Sequence, residues 1–392
     1  MSWRVSLIGA IPALILAGCA DEGVPISGDM LAYEPSLAVT PQAAFAAWHG
    51  GTGDRSLIYV QPLDEADRPA GEPIAVSDGQ QLAYEPDLVA TARGLAVAWY
   101  QKDRASGRLT AWLAGLTPQG RRQWLSPLTA GTGQARNPVV RTLGDHLEAA
   151  WIEQPAEDDG SNTAAIWHQR LSLAGEPLGP PREIGQANRD TWNLNAAVAG
   201  GSLVVTYDAA LGTRAHELQM IVVRGGASVH QRLSGDDGHA SVYPDLQMGP
   251  SGQAALTWFD ERDGNNEVYL LAAPLDRLMD GKVPAPVRIS HSEADSIGAY
   301  VAWNGRTIGL AWSDDLSGQR DIFGQTFTAS GTPLGPIRNL GASREDAGVP
   351  AIRASGDGFL VVWNDYVAEA GSGRHMNMTS STIRLARLPI GN

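Results

Sequence analysis

Two tyrosine–glutamate pairs stand at matching places along the chain, Tyr33-Glu34 and Tyr84-Glu85, each followed by a proline. Arg136-Asn137, Trp192-Asn193 and Tyr243 occupy the equivalent places further on. Aromatic rings beside carboxylates and amides suit a sugar, whose ring faces stack and whose hydroxyls need hydrogen-bond partners. The candidate ligand-binding residues are therefore Tyr33, Glu34, Tyr84, Glu85, Asn137, Trp192, Asn193 and Tyr243. Glu34 and Glu85 would also serve as an acid–base pair on a glycosidic bond, their separation deciding between inversion and retention. A plainer use competes: Tyr-Glu-Pro starts a strand after a turn, and repeated units repeat residues for structural reasons alone. No residue is assigned a catalytic role on this footing.

A second cluster, Asp260 to Glu267 (DERDGNNE), gathers oxygen donors around a glycine, as a hard cation requires. Asp260, Asp263 and Glu267 are the candidate Ca2+ ligands. Arg262 stands where a ligand would be expected, and the full alternating acidic pattern of an EF-hand loop is missing. No other cofactor is indicated. The eight histidines show no metal-binding spacing, and neither a phosphate-binding glycine loop nor a nucleophile elbow is present. Cys19 is the single cysteine, which rules out disulfides within the chain and multi-thiolate metal sites.

What must position these residues is a sevenfold repeat. Apolar runs end in Trp48, Trp99, Trp151, Tyr207, Trp258, Trp312 and Trp363, spaced 51 to 56 residues apart. Such a period, without helical periodicity, signals stacked or radially arranged β units. The second unit reads as four short strands: Pro86–Val89, Gly94–Trp99, Leu109–Leu113 and Trp124–Leu128. Gly, Pro, Asp and Ser turns separate them. Four antiparallel strands per repeat describe a blade, so the expected fold is all-β, a seven-bladed β-propeller. The last unit has only three strands, and residues 24–29 read as an orphan fourth strand, like 73–78. The N-terminal strand should then close the ring by completing the last blade, removing two exposed sheet edges. In that geometry the fourth-to-first and second-to-third loops share one face, termed upper below. The candidate mouth residues belong to that face, as do most acidic clusters, Glu157-Asp158-Asp159, Asp236-Asp237, Asp260-Glu261 and Asp314-Asp315 among them.

Trp258-Phe259-Asp260-Glu261-Arg262-Asp263-Gly264, followed by Val268-Tyr269, resembles the W-x-D-x-R-x-G…I-Y repeat of exported bacterial propellers. Trp312-Ser313-Asp314-Asp315, Gly318 and Asp321-Ile322-Phe323 look like a second copy. The fit is partial at Trp363-Asn364-Asp365 and poor at Tyr207-Asp208. The resemblance implies a fold rather than an activity, with Trp, Asp and Gly as blade-building residues.

Residues 1–18 combine a basic Arg4 with a short apolar run at Ile8 to Leu16, too short to span a membrane and suited to a signal peptide. Leu16-Ala17-Gly18-Cys19 resembles the bacterial lipobox, which implies cleavage, lipidation of Cys19 and a single propeller domain over 24–392. Ala20 in place of aspartate points to the outer membrane of the cell envelope. The net charge of −14 argues against nucleic acid as a partner. The expected partners are the membrane, through the lipid, and an envelope protein or polysaccharide. Two readings stay open: a non-catalytic binding or assembly platform, and a carbohydrate-active hydrolase or lyase working at the channel mouth.

Overall fold

The computed structural model describes residues 23–391 apart from 53–54, 132, 157–159, 192, 316–317, 342–344 and 369–377. The signal-peptide reading of residues 1–18, Cys19, Trp192 and the acidic run at 157–159 lie outside the described residues.

Seven antiparallel sheets follow one another along the chain, and their inner strands pack side by side around one axis. The inner strands are Leu31–Val39, Leu82–Thr91, Gln134–Leu143, Leu194–Ala199, Ser241–Met248, Ser296–Asn304 and Ala351–Ser355. Each pairs with a second strand carrying the repeat aromatic, then a third and an outer one. In the second blade the observed strands, Leu82–Thr91, Gly94–Lys102, Leu109–Leu116 and Arg122–Leu128, contain the predicted ones and extend most of them by a few residues. The extensions include Tyr84, which pairs with Tyr100, while Glu85 and Pro86 interrupt the ladder.

The repeat aromatics are buried in every blade. Directly across the ladder from five of the tryptophans the third strand supplies another aromatic: Tyr59, Trp112, Trp167, Tyr269 and Phe323. Such cross-strand pairs, with ring centroids 6.4, 5.7 and 6.2 Å apart at Trp48, Trp258 and Trp312, stiffen the blade where neighbouring sheets diverge. The acid two residues after the tryptophan points to the same side of the strand and takes the buried indole N–H. Trp258 donates to Asp260 at 2.9 Å, Trp312 to Asp314 at 3.4 Å, Trp363 to Asp365 at 2.6 Å and Trp151 to Glu153 at 3.0 Å. The W-x-D pattern is thus a device for satisfying a buried donor.

The candidate Ca2+ ligands are engaged in the same network. Asp260 also accepts from Ser241 at 2.7 Å and from Arg262 at 2.7 and 2.6 Å. Glu267 accepts from Ser290 and pairs with Arg288 at 2.8 Å, while Asp263 meets Tyr269 and lies 3.2 Å from Arg288. Arg262 and Arg288 supply the positive charge that a cation would have brought. Among the described residues no three His, Cys, Asp or Glu side chains converge as a metal site.

Closure joins the two ends of the chain. Val24–Pro25 pairs antiparallel with the last strand, Val24 opposite Leu385 and Pro25 opposite Arg384. Ile26 N–H donates to Ile383 O at 2.8 Å, and Ser27 Oγ accepts the Ile383 N–H at 2.9 Å. Ile26 is buried against Leu360, Val362 and Leu385 of the last blade and against Trp48 of the first. Ile26→Ala should lower unfolding free energy by about 2–5 kcal/mol in urea titrations. Removing residues 23–27 should cost more and make the protein aggregate through the bared edge. A truncated chain melting like wild type would show that closure carries no stability.

Candidate functional site

The upper end of the axis opens into a cavity of about 270 Å³. Its lining comes from the start of all seven inner strands, and it includes Glu34, Glu85, Asn137, Asn193 and Tyr243. The backbone there is unusual. Glu34, Glu85, Asn137 and Tyr243 hold φ of 50, 50, 46 and 55°, four of the six non-glycine residues with left-handed φ among the described residues. The fifth and sixth inner strands show why the position recurs: Tyr243 and Gly298 (φ 59°) stand at matching places. At each of these five places the ladder register shifts, so the residue is a bulge that two backbone positions share opposite one partner. Proline follows in four of the five (Pro35, Pro86, Pro138, Pro244); lacking an N–H, it leaves no orphan donor where the ladder is broken. A left-handed non-glycine residue costs roughly 1–3 kcal/mol, and strain of that kind gathers at functional sites.

The bulges are held by the preceding blade. Glu85 N–H donates to His49 Nδ1 at 3.4 Å, and Tyr243 N–H to Asp208 Oδ1 at 3.2 Å. His49 and Asp208 each directly follow their blade's repeat aromatic. Asn193 Nδ2 reaches Pro244 O at 3.0 Å across the next interface. Glu85 accepts from Tyr100 Oη at 3.1 Å and from Asn137 Nδ2. Buried Arg136 ties the loop before the fourth blade, donating to Thr191 O and Arg189 O at 2.6 Å. It positions the neighbouring Asn137 and does not line the cavity.

Two predicted residues sit elsewhere. Tyr33 and Tyr84 turn away from the axis and enclose His49, with ring centroids 5.4 and 5.3 Å from it; Tyr84 also stacks on Tyr100 at 5.5 Å. In a strand neighbouring residues face opposite sides, so a tyrosine next to a channel-facing glutamate must point between blades. Tyr243, itself at the bulge position, does line the cavity and stacks on Phe259 at 5.2 Å. Beyond the predicted set, the lining includes Asp87, Asn195, Asp245, Tyr300 and Arg353. The same alternation carried two and four residues along each inner strand would have found them.

The electrostatics of the mouth centre on Glu34 and Glu85. Burial raises both, and for Glu34 the facing Glu85 charge raises it further, well above the usual carboxylate range. Glu34 keeps 52% of its side-chain surface open, but into the cavity that Glu85 shares. Glu85 is pushed up to about 7 by burial, against the Tyr100 hydrogen bond and the Arg136 charge, which lower it. Burial depresses His49 to about 3. The imidazole is therefore neutral at pH 7, and its 3.3 Å contact with Glu34 is not a charged pair. Two carboxyls raised above the usual range, Glu85 to about 7, beside amide and phenol donors are able to donate and accept protons.

Since Glu85 titrates at about 7 in the fold against 4.5 normally, its protonated form stabilises the fold below pH 4.5, and that contribution is lost as pH rises through 7. His49 acts in the opposite sense, with stability lost as pH falls below 6.5. Comparing Glu85→Gln with wild type isolates the first effect. The variant should gain in melting temperature relative to wild type on moving from pH 4.5 to pH 8; parallel pH profiles would contradict the assignment.

No protein-family model matches the chain, and no curated protein matches it. Solved structures do. An ulvan lyase of a new polysaccharide lyase family, bound to -[GlcA(1-4)Rha3S]-, superposes with a TM-score of 0.59 at 10% identity, over 94% of this chain and 96% of its own. A protein of unknown function from Dyadobacter fermentans gives 0.54 at 12%, over 94% and 98%. The α-L-arabinanase of Penicillium chrysogenum, complexed with arabinobiose, gives 0.52 at 13%, over 79% and 97%. Glycoside hydrolases and polysaccharide lyases thus share this architecture, and at such identities the likeness establishes the fold alone: the chain is a seven-bladed β-propeller.

Proposed function

We propose that this chain is an envelope-anchored binding protein whose site is the upper mouth of the axial cavity, and that the ligand is a saccharide. The observation that carries the reading is the ring of strained positions. Glu34, Glu85, Asn137 and Tyr243 are held left-handed on four different blades, so that carboxyls, an amide and a phenol converge on one small cavity. Glycine would relieve that strain at every one of these positions, so the side chains are what the strain retains. Convergent hydroxyl-binding groups beside an aromatic ring fit a sugar residue, and the cavity is at the small end of ligand sites. The lyase and arabinanase that share the fold hold saccharides in their solved complexes, which accords with this reading. Glycine at Asn137 or Tyr243 should weaken binding on a polysaccharide array or by calorimetry at least tenfold while leaving the melting temperature unchanged or higher. Unaltered binding in both variants would move the site away from the mouth.

One observation favours a second reading, a hydrolase or lyase. Glu34 and Glu85 act on one another across the cavity with raised pKa values, as a general acid and its partner would. Product release by wild type that disappears in Glu34→Gln and Glu85→Gln would establish it; intact polysaccharide after prolonged incubation would leave binding alone.

The anchor in this proposal is a lipidated Cys19. Residue 24 enters its blade from the lower side, antiparallel to the last strand, so a membrane tether a few residues earlier would turn the mouth away from the bilayer. Labelled palmitate should be incorporated by wild type and not by Cys19→Ser, and an unlabelled wild-type protein would remove the anchor. Among the described residues no helix is long and apolar enough to cross a membrane.

A further inference from the structure

The axial cavity is charged in layers, and the layers are set by register. Below the mouth, Asp87 and Asp245 pair across to Ala98 and Thr257, each one residue before the blade's tryptophan. Further down, Arg141 and Arg353 pair across to Glu148 and Leu360, each three residues before it. The two arginines share a level but not a condition. Arg141 is buried and engaged: it pairs with Asp87 at 2.6 Å and donates to the carbonyls of Val140 and Ala196. Arg353 lines the cavity. Its one hydrogen bond among the described residues runs from Nη1 to the carbonyl of the adjacent Ile352, at 2.8 Å, and no carboxylate there forms an ion pair with it.

Most of the donors of that guanidinium are therefore without an acceptor from the fold. Burial, then the nearby Arg141 charge, pushes its pKa down, yet a guanidinium stays charged at any ordinary pH. A cation half withdrawn from water and lacking a partner is costly, and a planar oxyanion offering two parallel hydrogen bonds relieves that cost best. Of the acids above it, Asp87 is paired with Arg141, and burial raises Glu34 and Glu85. Burial also raises Asp245, to about 6, and the charge it keeps is drawn toward Arg353 and Arg141 without an ion pair to either.

We infer that the saccharide taken by the mouth carries a carboxylate, a uronate unit, and that Arg353 at the floor of the cavity receives it. Its hydroxyls then face the amides and the Tyr243 phenol nearer the rim. The inference rests on the saccharide reading of the mouth and names the class of sugar.

The test is calorimetry with oligogalacturonate, oligomannuronate and oligoglucuronate, each beside its carboxyl-reduced form. Wild type should bind one acidic oligomer at least tenfold tighter than the reduced counterpart. Arg353→Gln should abolish that preference without weakening binding of the reduced form, and Arg353→Lys, which keeps the charge but not the fork, should restore it in part. A wild-type protein that binds acidic and reduced forms alike overturns the uronate assignment and leaves the saccharide reading standing, as does a preference that survives Arg353→Gln in a variant that melts like wild type. No binding of any oligomer, acidic or reduced, in this or the wider array overturns the saccharide reading itself.

Discussion

The pairing of residues 24–27 with the last strand is the constraint on which the molecule depends. Each blade is a short twisted sheet with apolar surface on both faces, and it is stable only between two neighbours. In a linear array the end blades would each bare a face and an edge. Closing the ring through Val24, Pro25, Ile26 and Ser27 gives the last blade its outer strand and brings Ile26 against both the last blade and Trp48 of the first. The cavity exists because of that closure. Its walls are the starts of seven inner strands whose mutual distance no single blade sets.

Within this frame the acidic residues divide into two populations with opposite physics. Those two positions after the repeat tryptophan are buried, accept the indole N–H and are met by other donors or by arginines, as Asp260 is by Ser241 and Arg262. At Asp260 the ionised form is favoured: the Arg262, Trp258 and Ser241 bonds outweigh burial and hold it below the usual range. On the axis burial outweighs the nearby arginine charges, and Glu34, Glu85 and Asp245 are raised instead. The first group builds blades. The second is left with protons to exchange and with one underpaired arginine beneath it.

The candidate site was half legible beforehand. Glu34, Glu85, Asn137, Asn193 and Tyr243 could be found by aligning the repeats, because a position that faces the axis in one blade does so in the others. Tyr33 and Tyr84 were grouped with them by adjacency, although alternation sends them to His49. Asp260, Asp263 and Glu267 looked like cation ligands because spacing shows how many oxygens lie close in sequence. It does not show that Arg288, 21 residues beyond Glu267, reaches the same carboxylate. Alternation along the strand would have put Arg353 on the axis, but not told it from Arg141. Its distinction is the absence of a partner, and partners across the axis come from blades tens to hundreds of residues away.

By itself the sequence determined the strands, the number of blades, the places of the buried aromatics and the need for an N-terminal strand. All of these follow from local alternation, turn residues and a period of 51 to 56 residues, and each is written within one unit or in the comparison of units. Only the tertiary structure decided which side chains share a level around the axis, which carboxyls burial raises and which arginine forms no ion pair among the described residues. Those properties depend on burial and on Coulomb interactions over a few ångströms between residues on different blades, and the closed ring alone brings them that near.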